Sequence, residues 1–313
     1  MKKPICVPKS FPNAGDAEAL VAYWEQDFDA RLEQVAQSIS HDCVNEGVQI
    51  IRLSGPSCAG KTTTATKLEQ VLERAGRLVY PISLDDFFHG KAYLQNHAMQ
   101  NNNGKLDYDS VDALDLETLR TCVENLLTYG RAEMPTFDFV KGDRGANYVL
   151  DTTGNKNPPV FLFEGIQAVY PQVVAMLGEA RQRSVFISVE SPVMVGDVVF
   201  EPNEIRLMRR LVRDEAKRNA KPDFTLMLWH SVRANEEASI FPYAHACDYH
   251  IDSAMGFDVH MLAPHLRRIL TAYPTVGEDG AQADLLLQKL QGVEGISSQL
   301  LSQDSLYHEF ILN

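Results

Sequence analysis

The stretch Gly55-Pro56-Ser57-Cys58-Ala59-Gly60-Lys61-Thr62 constrains this chain more than any other. It fits the spacing G-x-x-x-x-G-K-[ST], and its flanks give the match meaning. Val48 to Leu53 is an apolar run that predicts a buried strand, and roughly residues 61–75 predict a helix. Glycines at such a junction let backbone N–H groups turn inward around phosphate oxygens, and the helix N-terminus adds partial positive charge. Lys61 then reaches the terminal phosphates of ATP, and the Thr62 hydroxyl is a ligand for Mg²⁺. Gly55, Ser57, Cys58, Ala59, Gly60 and Thr63 complete the expected nucleotide contacts. Leu78 to Leu84 predicts a second strand, so strand, helix and strand form a β-α-β unit with parallel strands.

The same alternation continues along the chain. Val160 to Phe163, Ser184 to Val189 and Cys247 to Ile251 predict further strands. Helical patterns near 114–129, 203–219, 224–234 and 258–272 fill the gaps, which points to an open α/β sheet with helices on both faces. Leu20, Trp24, Phe28, Leu32, Val35 and Ile39 recur at helical spacing and predict an N-terminal helix packed on the core. Residues 134–150 read as a hairpin, with Met134 to Val140 and Ala146 to Leu150 joined by 141–145. Asn101 to Gly104 is a short polar loop. Asp151-Thr152-Thr153-Gly154 and Asn155-Lys156-Asn157 imitate guanine-nucleotide signatures, but Pro158 stands where the second needs Asp, and the two abut; a polar turn explains them better. The division expected is a helical extension at 1–47, one nucleotide-binding domain at 48–275 and a tail at 276–313 packed on it.

Charge sorts the partners. The chain has 29 Lys+Arg against 42 Asp+Glu, a net charge of −13, which argues against coating nucleic acid or an anionic membrane. No apolar run approaches the ~20 residues of a membrane-spanning helix, and no signal-like segment follows Met1. Five scattered cysteines without a C-x-x-C pair suit reduced thiols in the cytoplasm. His89, His97, His230, His245 and His250 form no ligand-spaced metal set. Against the negative total, residues 206–221 concentrate Arg206, Arg209, Arg210, Arg213, Lys217, Arg218 and Lys221 with only Asp214 and Glu215 opposing. Alone, this would be a solvated basic helix face; beside a phosphate loop it suits the equatorial oxygens of a transferring phosphoryl group. Asp85 and Glu164 end two predicted strands, the edge where open α/β sheets bind ligands. A carboxylate there can accept a hydroxyl proton or support Mg²⁺.

At this point the residues resemble a family. The phosphate loop, Leu84-Asp85-Asp86-Phe87-Phe88, Tyr108-Asp109-Ser110-Val111-Asp112, Pro135-Thr136-Phe137-Asp138-Phe139, Phe163-Glu164-Gly165 and Arg206 to Asp214 follow one another as in the uridine kinase/phosphoribulokinase family. The chain looks closest to its bacterial uridine kinase-related nucleoside kinases, over roughly residues 48–313; Trp229 to Arg233, Glu236-Glu237 and Ile240-Phe241-Pro242 also resemble that subgroup. The resemblance implies a P-loop NTPase fold of nucleoside-kinase type with a β-hairpin appendage and a helical lid at 203–222. It implies ATP-dependent phosphorylation of a nucleoside 5′-hydroxyl. Asp85 would be the base, Asp109 the ribose ligand and Glu164 the Mg²⁺ ligand. Phe88, Phe137, Asp138 and Arg144 would line the acceptor pocket, and Arg210, Arg213 and Arg218 would sit on the lid. Phe88 and Phe137 stand where uridine kinases carry Tyr, Gly142 where they carry His, and Arg218-Asn219-Ala220 where their lid reads Arg-Gly-Arg. Those departures imply a different or looser reading of the base. A sugar phosphate or pantothenate-like acceptor, or an ATP-binding regulator without catalysis, are the other readings. The tail either covers the core or makes a subunit contact in a homo-oligomer.

Overall fold

Five strands form one all-parallel sheet in the order Tyr249–Asp252, Gln182–Ser188, Ile50–Ser54, Pro159–Glu164, Leu78–Ser83. The computed structural model describes residues 2–101, 106–274 and 276–311, so the predicted polar loop lies outside the described residues from 102 onward. Successive strand residues face opposite sides, and here both sides are apolar. Ile51, Leu53, Leu162, Val185 and Ile187 enter one core, while Ile50, Phe161, Phe163 and Phe186 enter the other. That double burial is why the strands read as unbroken apolar runs. Pro81 is tolerated because Leu78–Ser83 is an edge strand, where a missing N–H need not break a ladder.

Helices Ala14–Asn45, Lys61–Arg74, Pro202–Arg218 and Asp258–Ala272 close the first core. Leu116–Tyr129 and the short Pro171–Met176 close the second through Leu119, Val123, Leu126 and Val173. Each such Leu or Phe contributes roughly 1.5–3 kcal/mol of burial. The helix Lys91–Asn101 was not foreseeable as a stripe, since Leu94 and Ala98 are its buried apolar residues.

The N-terminal segment carries more than the expected helix. Ile5–Val7 pairs parallel with Val193–Val195, which pairs antiparallel with Val198–Phe200, forming a second, three-stranded sheet. The helix that follows buries Val21, Phe28, Leu32, Ala36 and Ile39 in the same core as the main sheet. Trp24 lies so close to Gly256 that a Cβ there would come within 2.2 Å of Nε1.

The hairpin differs in detail from its sequence reading. Arg131–Met134 pairs with Tyr148–Asp151, and Phe137–Asp138 with Asp143–Arg144, both antiparallel. The ribbon therefore starts earlier, turns at 139–142 rather than 141–145, and is interrupted at Pro135-Thr136, where Pro has no N–H to give the ladder. Past Ala272, helix Gly277–Lys289 leads to the turns Ser298–Leu300 and Leu306–Glu309. Leu286, Leu290, Val293, Ile296, Tyr307 and Phe310 are buried in the first core, which carries residues 305–311 back to the phosphate loop. Among the described residues no helix is long and apolar enough to cross a membrane.

Candidate active site

The loop between Ile50–Ser54 and Lys61–Arg74 has no slack. A Cβ on Gly55 would lie 2.1 Å from the carbonyl oxygen of Ile187. Cys58 (φ +59°) and Gly60 (φ +95°) take left-handed conformations, of the kind that anion-binding nests use. For Cys58, which has a side chain, that conformation costs about 1 kcal/mol, and the surrounding contacts hold it. Arg206 Nη1 donates to the Ser57 carbonyl at 3.1 Å, Arg210 Nη1 to Ser57 Oγ at 2.8 Å and Arg209 Nη1 to the Cys58 carbonyl at 3.5 Å. The Ser57 N–H donates to Glu236 Oε1 at 3.1 Å. Lys61 Nζ donates to the Pro56 carbonyl at 3.2 Å, folded back across the loop.

The basic cluster divides into two sets that sequence spacing does not separate. Arg206 pairs with Glu236 at 2.6 Å and Arg209 with Asp258 at 2.7 Å, all four side chains essentially inaccessible. Arg206 also lies 5.3 Å over the ring of Trp229. These two arginines build the loop's floor. Arg210, Arg213 and Arg218 instead converge on Asp214 at 3.4, 2.7 and 3.6 Å, with Arg218 well exposed. Leu207, Met208, Leu211 and Val212 are buried, so this helix is rooted in the core as far as Val212. Asp214 is buried as well, and Lys217 bonds the His308 carbonyl before Asn219 ends the helix at φ +51°, so the helix expected to form a lid over 203–222 is packed on the rest of the protein here.

Two carboxylates stand at neighbouring strand ends. Asp85 lies in the turn Leu84–Phe87, its N–H donating to Ser83 Oγ at 3.3 Å. Glu164 closes its strand, and Gly165 lets Leu84 approach: a Cβ there would meet Leu84 Cβ at 2.8 Å. Burial raises the Asp85 carboxyl above its usual range, and Asp109 and Asp86 push it further while Lys61 and Arg218 pull back. Burial likewise pushes Glu164 up to about 7, opposed by Lys61 and reinforced by Asp85 and Glu309. Such a crowd of desolvated carboxylates favours a cation. Among the described residues no group of three or more His, Cys, Asp or Glu is built to hold a metal. Mg²⁺ needs no such cage, because one or two carboxylates plus phosphate oxygens and waters suffice. Glu164 and the exposed Thr62 at the loop's mouth fit that demand.

Asp109 lies beyond, on a loop whose backbone is tied down: Tyr170 Oη donates to the Asp109 carbonyl at 3.0 Å and Gln167 Nε2 to the Tyr108 carbonyl at 2.7 Å. Asp107, Asp109, Tyr170, Asn235 and Ser239 line a polar cavity of about 190 Å³. Burial and neighbouring Asp107 raise the Asp109 carboxyl, against Arg210 and Lys61. Ala238 and Ser239 of that lining belong to a single π-helical turn, Glu236–Ile240, opened by the glutamate that holds Ser57. Phe88 packs edge-on against Tyr108 at 5.2 Å and Phe137 at 5.4 Å, and Phe137 against exposed Phe139 at 5.1 Å.

Two residues nominated from sequence are engaged elsewhere. Asp138 turns its carboxylate onto its own hairpin tip, accepting from the N–H groups of Val140 and Lys141 at 3.0 and 3.1 Å and pairing with Lys141 Nζ at 2.9 Å. Those donors hold its carboxyl below the usual range. Arg144 pairs with Asp115 at 3.0 Å, bracing the turn after Phe87. The cavity beside Asp109 is lined by neither of them, nor by Asp85, Phe88 or Phe137. Conversely, Asp107, Tyr170 and Asn235 escaped the sequence reading, while Asp214, the acid inside the arginine run, and Glu236, within a motif of the resemblance, had a signal but were given no role.

A model of the Phosphoribulokinase / Uridine kinase family matches residues 50–259, about two thirds of the chain. The uridine kinase of Mycoplasma genitalium is 26% identical over 187 residues, covering 59% of this chain and 75% of that protein. The uridine kinase of Deinococcus deserti is 26% identical over 174 residues, covering 56% of this chain and 72% of that protein. Among solved structures, the phosphoribulokinase from Rhodobacter spheroides aligns with 67% of this chain and 74% of its own at 14% identity, with a TM-score of 0.44.

Proposed function

The chain belongs to the phosphoribulokinase/uridine kinase family, and from that premise we propose that it transfers the terminal phosphoryl group of ATP to the 5′-hydroxyl of a uridine- or cytidine-like nucleoside. The coarser statement is secure: this is a P-loop kinase, a phosphotransferase acting on a small-molecule hydroxyl. The observation that supports the finer reading is the placing of Asp85 and Glu164 at neighbouring strand ends, with the polar cavity at Asp109 as room for an acceptor.

In this reading the loop's N–H groups hold the phosphates, and Lys61 leaves the Pro56 carbonyl to meet them. Thr62 and Glu164 would hold Mg²⁺, which would supply neutralisation of phosphate charge. Asp85 accepts the proton of the acceptor hydroxyl; its raised carboxyl is better matched to that proton than an ordinary aspartate. Asp109 accepts from the ribose hydroxyls in its polar cavity. Arg210, Arg213 and Arg218, kept together by Asp214, offer their charge to the transferring group and shield it from water that would otherwise take the phosphoryl. Phe88 and Phe137 carry no hydroxyl for the base and pack edge-on to each other in the second core, 2% and 8% exposed, so the reading of the base does not rest on them.

The test is ADP release with Mg·ATP across nucleosides, sugar phosphates and pantothenate-like vitamins. Pyrimidine nucleosides stimulate release, and Asp85→Asn abolishes it while leaving Mg·ATP affinity within a few fold. Wild-type turnover in that variant sinks the assignment of the base. Stimulation only by another acceptor class reassigns the substrate, and stimulation by none favours an ATP-binding regulator.

A further inference from the structure

Residues 305–311 lie against the phosphate loop and the first turn of the helix that follows it. The turn Leu306–Glu309 crosses the start of helix Lys61–Arg74. Leu306 lies so near Gly60 that a Cβ there would come within 2.4 Å of its Cδ1. Glu309 Oε2 accepts from the Thr63 N–H at 3.4 Å and from Thr63 Oγ1 at 3.5 Å. That N–H is among the first of its helix, which have no partner within the helix and face the place where phosphate is bound. The chain thus puts a carboxylate of its own on a donor that the nucleotide reading assigns to phosphate. The turn is anchored on its far side, where the Tyr307 hydroxyl bonds Asp258 and Phe310 lies 5.0 Å from the Arg209 guanidinium. Lys217, on the arginine helix, donates to the His308 carbonyl. The charge of Glu309 also bears on both Glu164 and Arg213.

We propose that Glu309 is a displaceable stand-in for nucleotide phosphate: it holds Thr63 while the site is empty and gives that N–H up when a phosphate arrives. This rests on the nucleotide-binding reading of the loop. Because Tyr307 and Phe310 stay buried, only the Glu309 end of the turn has to move. Every phosphate-bearing ligand therefore binds against an internal competitor, whereas a ligand without phosphate does not.

Equilibrium binding of ADP and of adenosine to the full chain, in wild type, Glu309→Gln and Glu309→Ala, tests this. ADP tightens in both variants by roughly two- to fivefold, the effect of one charge at a helix N-terminus, while adenosine is unchanged. In the wild type, amide exchange at 308–310 quickens when ADP is added. Unchanged or weaker ADP binding in the variants, equal tightening of ADP and adenosine, or exchange that ADP leaves unaltered would each overturn the proposal. A wild type that binds ADP while the variants do not differ refutes the role of Glu309 alone. A wild type that binds no nucleotide refutes the reading of the loop and this inference with it.

Discussion

Glu164→Gln should make the protein more stable and less active, and the size of the gain can be worked from the site. The wild-type carboxyl is moved from its ordinary 4.5 to about 7, chiefly by burial. Below pH 4.5 it is neutral in folded and unfolded chains alike, and it costs nothing. As pH rises from 4.5 to 7 the unfolded chain ionises and the folded one resists, so stability falls. Above pH 7 the loss is complete, roughly 3 kcal/mol at ~1.4 kcal/mol per pH unit. Glutamine carries no such penalty. Urea unfolding of both proteins at pH 5 and pH 8 therefore shows a gap in favour of the variant that widens by most of that amount; titrating groups remote from Glu164 cancel in the difference, while its neighbours Asp85, Lys61 and Glu309 adjust it. Added Mg²⁺ narrows the gap by stabilising the wild type alone. A gap independent of pH, or a variant less stable at pH 8, would refute the account of this carboxyl as a desolvated charge waiting for a cation.

Other expectations follow from the same geometry. Asp258→Asn strands the inaccessible Arg209 guanidinium, and urea unfolding should register a loss of about 3–5 kcal/mol; under 1 kcal/mol would mean the pair is effectively solvated. Gly55→Ala forces the loop off Ile187 and should cost at least ~1–3 kcal/mol together with ADP affinity, whereas Gly154→Ala, with nothing within 4 Å, should stay within ~0.5 kcal/mol. Equal effects of the two substitutions would show that the close approach at Gly55 is not limiting. Burial pushes the thiols of Cys43 and Cys122 up to about 11. Iodoacetamide at pH 8 should spare both in the folded chain, as peptide mass mapping would show; modification without unfolding contradicts their burial.

What the sequence revealed follows from where the physics is local. The main-sheet strands were legible because burial on both faces writes an apolar run, and the phosphate loop because its turn needs particular residues at fixed spacing. Ile5–Val7 and Val193–Val195 were not, since three residues carry no measurable period. The arginine run was legible as charge but not as chemistry. The acids that claim Arg206 and Arg209 lie 30 and 49 residues further along, and only folding brings them in. Asp138 and Arg144 fall in the right hairpin, yet a shift of its turn hands the first to its own backbone and the second to Asp115. Nothing in residues 305–311 announces that Glu309 ends at Thr63, because that contact joins positions 246 residues apart.

The π-helical turn at 236–240 has a consequence for how this protein can change. Its first residue accepts one of the hydrogen bonds that fix the phosphate loop, and two of the next three line the polar cavity beside Asp109. An i→i+5 turn is a one-residue insertion into a helix, and removing or shifting it rotates everything after it by about 100°. On the proposed function, the acceptor cavity and the grip on the phosphate loop then share one backbone turn. A change to the backbone of this turn would also disturb the bond to Ser57, whereas a side-chain exchange at Ala238 or Ser239 would alter the cavity alone.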